Sequence, residues 1–99
     1  MEKNIDKLIE LARLSLNITW EMTDDERDIL RTEVEDAAIM LDTYVGGKQD
    51  YTKPGLARRT FLACVRYIHN DSTELFTNNF MNDLNDLRFK VATDSLGEE

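Results

Sequence analysis

Apolar residues recur every three or four positions along almost the whole chain, which is the spacing of one face of an α-helix. The sequence lacks strand-like alternation, and one proline and four glycines leave little room for a turn-rich β fold. We therefore predict an all-α, single-domain bundle of four helices with a long second helix and short loops. The helical domain is expected over residues 1–92, and residues 93–99 are expected to form an acidic mobile tail. The predicted helices span about residues 4–17, 24–45, 54–69 and 73–92.

The second segment carries the clearest start and stop signals. Thr23 and Glu26 have the spacing of a capping box, in which each side chain accepts a hydrogen bond from the other residue's backbone N–H. Gly46 and Gly47 supply the stop, so this helix is about 22 residues, or about 33 Å, long. Residues 71–74 offer a second capping box before the last helix.

Two side chains that often carry function have structural interpretations here. Cys64 is the only cysteine and lies in the third segment, which is apolar on nearly all sides and is expected to be the central helix. We interpret it as a small buried hydrophobe. Trp20 follows the first segment and is expected to plug the joint between the first two helices.

The net charge is −8, and it is unevenly distributed. Residues 1–47 carry 12 acidic and 5 basic side chains, residues 48–70 carry 1 and 5, and residues 71–99 carry 7 and 2. A protein that depends on duplex DNA affinity normally has the opposite net charge. A basic centre between acidic ends instead indicates self-association, because opposite patches on neighbouring copies can meet.

The sequence has no constellation typical of an enzyme. His69 is the only histidine, which leaves no pair for a two-histidine metal site, and its place at a predicted helix end favours a capping or surface role. Gly-rich phosphate loops, GxSxG and CxxC motifs do not occur. The acidic run at residues 24–28 is interpreted as helix capping. We predict a protein that is not an enzyme and uses no cofactor and no metal.

Neither a membrane span nor a secretory leader is expected. No apolar run approaches the roughly 18 residues that a span needs, and charges interrupt the apolar positions of residues 1–14. The chain is therefore expected to be made and kept in the cytosol.

A cluster of basic residues is the best candidate for a subunit or partner interface. Such a cluster is compatible with a solvated face, with pairing to an acidic neighbouring subunit, or with contact to phosphate groups. The acidic net charge of the chain favours pairing with a neighbouring subunit. One aromatic residue departs from the apolar stripe of the last helix and is expected to be exposed and available to a partner. The candidate interface residues are Lys48, Lys53, Arg58, Arg59, Arg66 and Phe89.

The order of these segments resembles the head–tail connector, or adaptor, proteins of tailed bacteriophages. The similar stretches are ARLSLNIT at residues 12–19, DDERDILRTEVEDAAIMLDTYVG at residues 24–46, and LARRTFLACVRYIHNDSTELFTNNFMNDLNDLR at residues 56–88. Shared features include the alanine pair and tyrosine of the second helix, the Arg66–Tyr67 pair and the closing Leu-x-x-Leu-Arg. The tail at residues 93–99 is shorter than the C-terminal arm of some members.

The resemblance implies a structural protein that forms a ring of about a dozen copies beneath the portal. The ring would extend the DNA channel and seat the tail or stopper. The implied partners are further copies of the chain, the portal protein and a tail or stopper protein, with no sequence-specific nucleic acid binding and no membrane. The implied location is the head–tail interface of the virion, after assembly from the host cytoplasm. Residues 46–53 and 93–99 are expected to become ordered on assembly.

Two other functions are compatible with the residues. The acidic residues 1–47 would suit a small acidic helical regulator that binds a partner protein, such as an anti-repressor or a DNA mimic. The other function is that of a helical nucleic-acid binder, which would use Arg58, Arg59 and Arg66.

Overall fold

The three- and four-residue spacing of apolar side chains produces five α-helices. The computed structural model describes the backbone of residues 2–97 and the side chains of residues 5–93. Helices are the only regular secondary structure in residues 2–97, so the all-α prediction is confirmed. The helices are α1 (Glu2–Ser15), α2 (Asp24–Val45), α3 (Leu56–His69), α4 (Thr73–Asn79) and α5 (Met81–Gly97).

The predicted count of four helices is wrong because the last predicted helix divides at Phe80. The backbone of Phe80 departs from helical geometry, with φ −116° and ψ 18°. Its ring stacks on Phe76, with the centroids 5.0 Å apart, and meets the edge of Tyr67 on α3 at 5.6 Å. These aromatic contacts hold the ring against α3, and the helix is interrupted there.

The last helix also extends further than predicted. Helix α5 continues to Gly97, whereas the sequence predicted an end near Ala92. Residues 93–97, which were assigned to the tail, therefore have helical backbone. Residues 98 and 99 lie outside the described residues, and the mobility of residues 93–99 stays a prediction.

The capping signals of α2 are confirmed. The Glu26 N–H donates to Thr23 Oγ1 at 3.2 Å, and the Thr23 N–H donates to Glu26 Oε1 at 2.9 Å. This backbone hydrogen bond lowers the pKa of Glu26 from its usual value. At the other end Gly46 has φ 88°, a left-handed conformation that glycine adopts readily. The second predicted capping box is wrong, because the Ser72 side chain bonds Asn70 O rather than the α4 backbone.

The core lies between α2 and α3. Helix α2 packs against α1, α3 and α5, and α3 contacts each of the other four helices, as expected of a central helix. The molecule measures 46 × 30 × 19 Å, and the 22 residues of α2 span about 33 Å. The buried side chains of this core are Leu8, Ile9, Ala12, Ile18, Leu30, Val34, Ala37, Leu41, Tyr51, Phe61, Ala63, Cys64, Val65, Phe76 and Leu84.

The loop between α2 and α3 is fixed within the single chain. Asp42 Oδ1 accepts hydrogen bonds from the Gln49 N–H at 3.1 Å and from the Tyr51 hydroxyl at 2.6 Å. The Tyr51 ring is buried and stacks on Phe61, with the centroids 4.8 Å apart. Burial, and then the Asp42 bond, raise the pKa of Tyr51. These contacts need no neighbouring copy, and the expectation that residues 46–53 become ordered on assembly stays a prediction.

The third helix begins two residues later than predicted, at Leu56 rather than at Pro54. Gly55 is its N-cap, with a φ of 140° that other residues rarely adopt.

We expect Tyr51→Phe to lower the free energy of unfolding by about 1 kcal/mol, because it deletes one part-buried hydrogen bond and keeps the ring. Urea denaturation measures this change. Tyr44→Phe is the matched control, since the partner of the Tyr44 hydroxyl among residues 5–93 is the weakly accepting sulfur of Met81, at 3.6 Å. Equal effects of the two substitutions would contradict the anchoring role of Tyr51.

We expect the Cys64 thiol to be unreactive in the folded protein. Its side chain is fully buried, and burial raises the pKa of the thiol to about 12. At pH 8 a disulfide reagent such as DTNB should modify it only after urea unfolds the chain. Rapid modification without denaturant would show that the α3 core opens readily.

Candidate functional site

The residues of the predicted basic cluster lie on two elements, the loop between α2 and α3 and helix α3 itself. Lys48 and Lys53 are exposed in the loop between α2 and α3. Arg59 and Arg66 are exposed on α3, seven residues apart, and therefore lie on one face of the helix. Within residues 5–93 neither of these two arginines forms an ion pair with a carboxylate. Their charges are thus free to meet another molecule.

Arg58, the fifth member, has an internal structural role. Its side chain is half-buried, and one guanidinium N–H donates to the backbone carbonyl of Thr52 in the loop. Its Nε atom is buried with no hydrogen-bond partner among the described residues. Arg58 therefore helps to fix the loop on α3, and its part in an interface stays a prediction.

Sequence reasoning missed Lys90. This exposed residue of α5 lies with Lys53 on the lining of a cleft of about 460 Å³ between the loop and α5. The two residues are far apart in sequence, and only the packing of α5 beside the loop brings them to one cleft. The run Arg88-Phe89-Lys90 was the available signal.

Phe89 is the most exposed large apolar side chain among the described residues, at 75%. The prediction that it is exposed is confirmed, and its part in an interface stays a prediction. Arg88 and Lys90 flank it and are also exposed. The Arg88 guanidinium lies 5.6 Å from the centre of the Tyr44 ring, which ties this part of α5 to the end of α2.

A pocket that we call the apolar groove lies between the link that joins α1 to α2 and the first turns of α2. Its volume is about 240 Å³. Trp20 and Ile29 are 55% and 60% exposed beside it. Glu33 Oε1 lies 2.9 Å from His69 Nδ1 at the edge of the groove. The His69 side chain is exposed, so the surface role predicted for it is confirmed. The groove is lined by Leu16, Ile18, Trp20, Met22, Glu26, Ile29, Leu30, Glu33 and His69.

The prediction that Trp20 plugs the joint between the first two helices is wrong. Ile18 is buried there instead, and its backbone carbonyl accepts a hydrogen bond of 2.7 Å from Arg13 Nη1. Ile18 occupies the joint between α1 and α2, and the backbone at Thr23 is extended. The Trp20 indole therefore lies at the surface. A large exposed aromatic side chain beside a pocket is typical of a contact site.

The outer face of α2 is acidic. Four carboxylate residues at helical spacing, Asp25, Asp28, Glu35 and Asp36, are all exposed. They share this side of the helix with Ile39, which is 64% exposed. This face has the opposite charge to the α3 face that carries Arg59 and Arg66.

The described residues contain no group of three or more His, Cys, Asp and Glu side chains that could hold a metal ion. Nor does any described helix have the length and apolar character needed to cross a membrane. Comparison with protein-family models, curated proteins and solved structures finds no match to the chain. The resemblance to connector proteins therefore stays a prediction.

We expect Arg58→Ala to lower the free energy of unfolding by about 2 kcal/mol, because it removes a charged donor from a loop carbonyl. Arg59→Ala, the adjacent and exposed control, should change it by less than about 0.5 kcal/mol. Urea denaturation of both variants measures the difference. Equal stabilities would mean that the Arg58–Thr52 contact does not fix the loop.

Proposed function

We propose that the protein is a structural head–tail connector of a tailed bacteriophage, which assembles as a ring beneath the portal and seats the tail or stopper. The observation that carries the proposal is the pair of oppositely charged, exposed faces on α2 and α3. Neighbouring copies in a ring use two different surfaces, and such faces can attract each other across each contact.

The acidic net charge also suits a ring around moving DNA. A channel wall should not hold phosphate groups tightly, and a chain with a net charge of −8 repels them. In the proposed ring the basic residues would face a neighbouring subunit rather than the channel. The proposed location is the head–tail interface of the virion, and the proposed further partners are the portal protein and a tail or stopper protein.

The structure weakens the nucleic-acid alternative. Of its three arginines, Arg58 is held by the loop carbonyl of Thr52, so Arg59 and Arg66 are the two that are exposed on α3. The net charge of the chain is −8. Two exposed arginines on one helix face of an acidic chain are few for binding that depends on neutralising several phosphates.

A small acidic regulator is the second candidate function. The exposed carboxylates of α2 favour it, because their helical row could mimic a line of phosphates for a basic partner. It predicts a complex with one basic protein and no binding to portal rings. A pull-down that returns only portal and tail proteins would reject it.

The connector proposal is tested by mixing the purified protein with portal rings and imaging the product by negative-stain electron microscopy. We expect an added ring of density on one end of the portal. Raising the salt should weaken assembly, because exposed charge pairs are screened. Absence of the protein both from these complexes and from purified virions would reject the proposal.

Charge reversal tests the faces directly. We expect Arg59→Glu and Arg66→Glu each to weaken assembly on the portal at least about tenfold, since each places a like charge opposite the acidic face. Lys7→Glu is the control, because it reverses the charge of an exposed residue on α1 and changes the net charge by the same amount. This variant should assemble normally. The measurement is the protein concentration that half-saturates the portal in sedimentation.

A further inference from the structure

Several large apolar side chains are exposed in residues 5–93, among them Leu14, Ile39 and Leu75, and two exposed apolar features are considered as the halves of one contact. One is Phe89, which projects from α5, and the other is the apolar groove with Trp20 and Ile29 beside it. Keeping large apolar side chains in water is unfavourable, and such patches commonly mark contact sites.

The groove and the Phe89 side chain match in size and polarity. A cavity of about 150 Å³ lined by apolar side chains is enough to bind a benzene molecule. The groove offers about 240 Å³, and Leu16, Ile18 and Leu30 contribute apolar lining. It can therefore receive the phenyl ring of Phe89.

Their charges are also complementary. Glu26 and Glu33 contribute carboxylates to the groove lining, whereas Arg88 and Lys90 flank the ring of Phe89. Insertion of the Phe89 ring would exclude water from the ring. It would also bring the carboxylates of the groove close to the basic side chains that flank Phe89, at the margin of the contact.

The two features cannot meet within one molecule. The groove lies beside Leu30 near the start of α2, and Arg88 lies over Tyr44 near its end. Leu30 and Tyr44 are separated by about 21 Å of helix, at about 1.5 Å per residue. Both features are carried by packed helices, so any contact between them joins two copies of the chain.

We propose that Phe89 of one copy inserts into the apolar groove of the next copy, which makes a head-to-tail contact between neighbouring subunits. This inference rests on the proposed self-association and identifies its central apolar contact. Because each copy has one Phe89 and one groove at separate places, the contact uses two different surfaces and can repeat around a ring.

Paired substitutions give the first test. Phe89→Asp removes the inserted side chain, and Ile29→Asp places a charge at the groove. We expect each variant to lose at least about tenfold in association constant, as measured by sedimentation velocity of the free protein and by binding to portal rings. Leu14→Asp is the control, because Leu14 on α1 is as exposed as Ile29 but lies outside the groove and both charged faces. It should associate like the parent.

Mixing the two variants distinguishes a head-to-tail contact from a symmetric one. Each variant retains one intact surface, so an equimolar mixture should form a complex of two copies that grows no further. Circular dichroism confirms that both variants are folded. Parent-like association of the separate folded variants, or no complex in the mixture, would overturn the proposal.

Cysteine cross-linking gives the second test, because the native Cys64 is fully buried and should not compete. Phe89→Cys and Trp20→Cys are introduced into separate chains, which are mixed and oxidised at high concentration and on portal rings. We expect a disulfide only in the mixture. Cross-linking of Phe89→Cys with itself, or no mixed cross-link in either setting, would contradict the head-to-tail contact.

The outcomes separate this inference from the proposed function. If the substituted proteins still assemble on the portal like the parent, the Phe89 contact is wrong and the connector proposal stands. If the parent protein itself does not bind the portal, the connector proposal fails.

Discussion

The buried stripe of α2, formed by Leu30, Val34, Ala37 and Leu41, is the surface against which α1, α3 and α5 pack. A chain of 99 residues buries a modest share of its surface, so one continuous apolar stripe has to serve several neighbours. Ala37 is completely buried, and its small side chain lets another helix approach closely. The capping box at Thr23 and the left-handed Gly46 set the length of this stripe.

The sequence predicted the elements whose signals are local. The bounds of α2 follow from caps that lie within a few residues of its ends, and the burial of Cys64 follows from the apolar character of α3. The exposure of Phe89 follows from its departure from the apolar stripe of its helix. In each case residues close together in the chain determine the outcome, and the periodicity of the helix is sufficient to predict it.

Features that depend on tertiary contacts were not predictable in the same way. The break at Phe80 arises from aromatic contacts with α3, and the exposure of Trp20 arises because Ile18 occupies the joint. Arg58 and Arg59 are adjacent arginines that the sequence alone does not distinguish, yet among the described residues only Arg58 donates a hydrogen bond to a loop carbonyl. The apolar groove combines the α1–α2 link, α2 and the end of α3, so no short segment reveals it.

The anchoring of the loop by Asp42 and Tyr51 has a consequence for symmetry. It ties the loop to α2 and, through the stacking of Tyr51 on Phe61, to α3, the helices that carry the acidic and basic faces. In the proposed ring, each contact between neighbouring copies would have to repeat the same rotation for the ring to close, and a different rotation would give an open assembly instead. If α2 and α3 moved relative to each other at this loop, the proposed ring would form with several copy numbers, whereas a fixed arrangement of the two helices favours a single copy number.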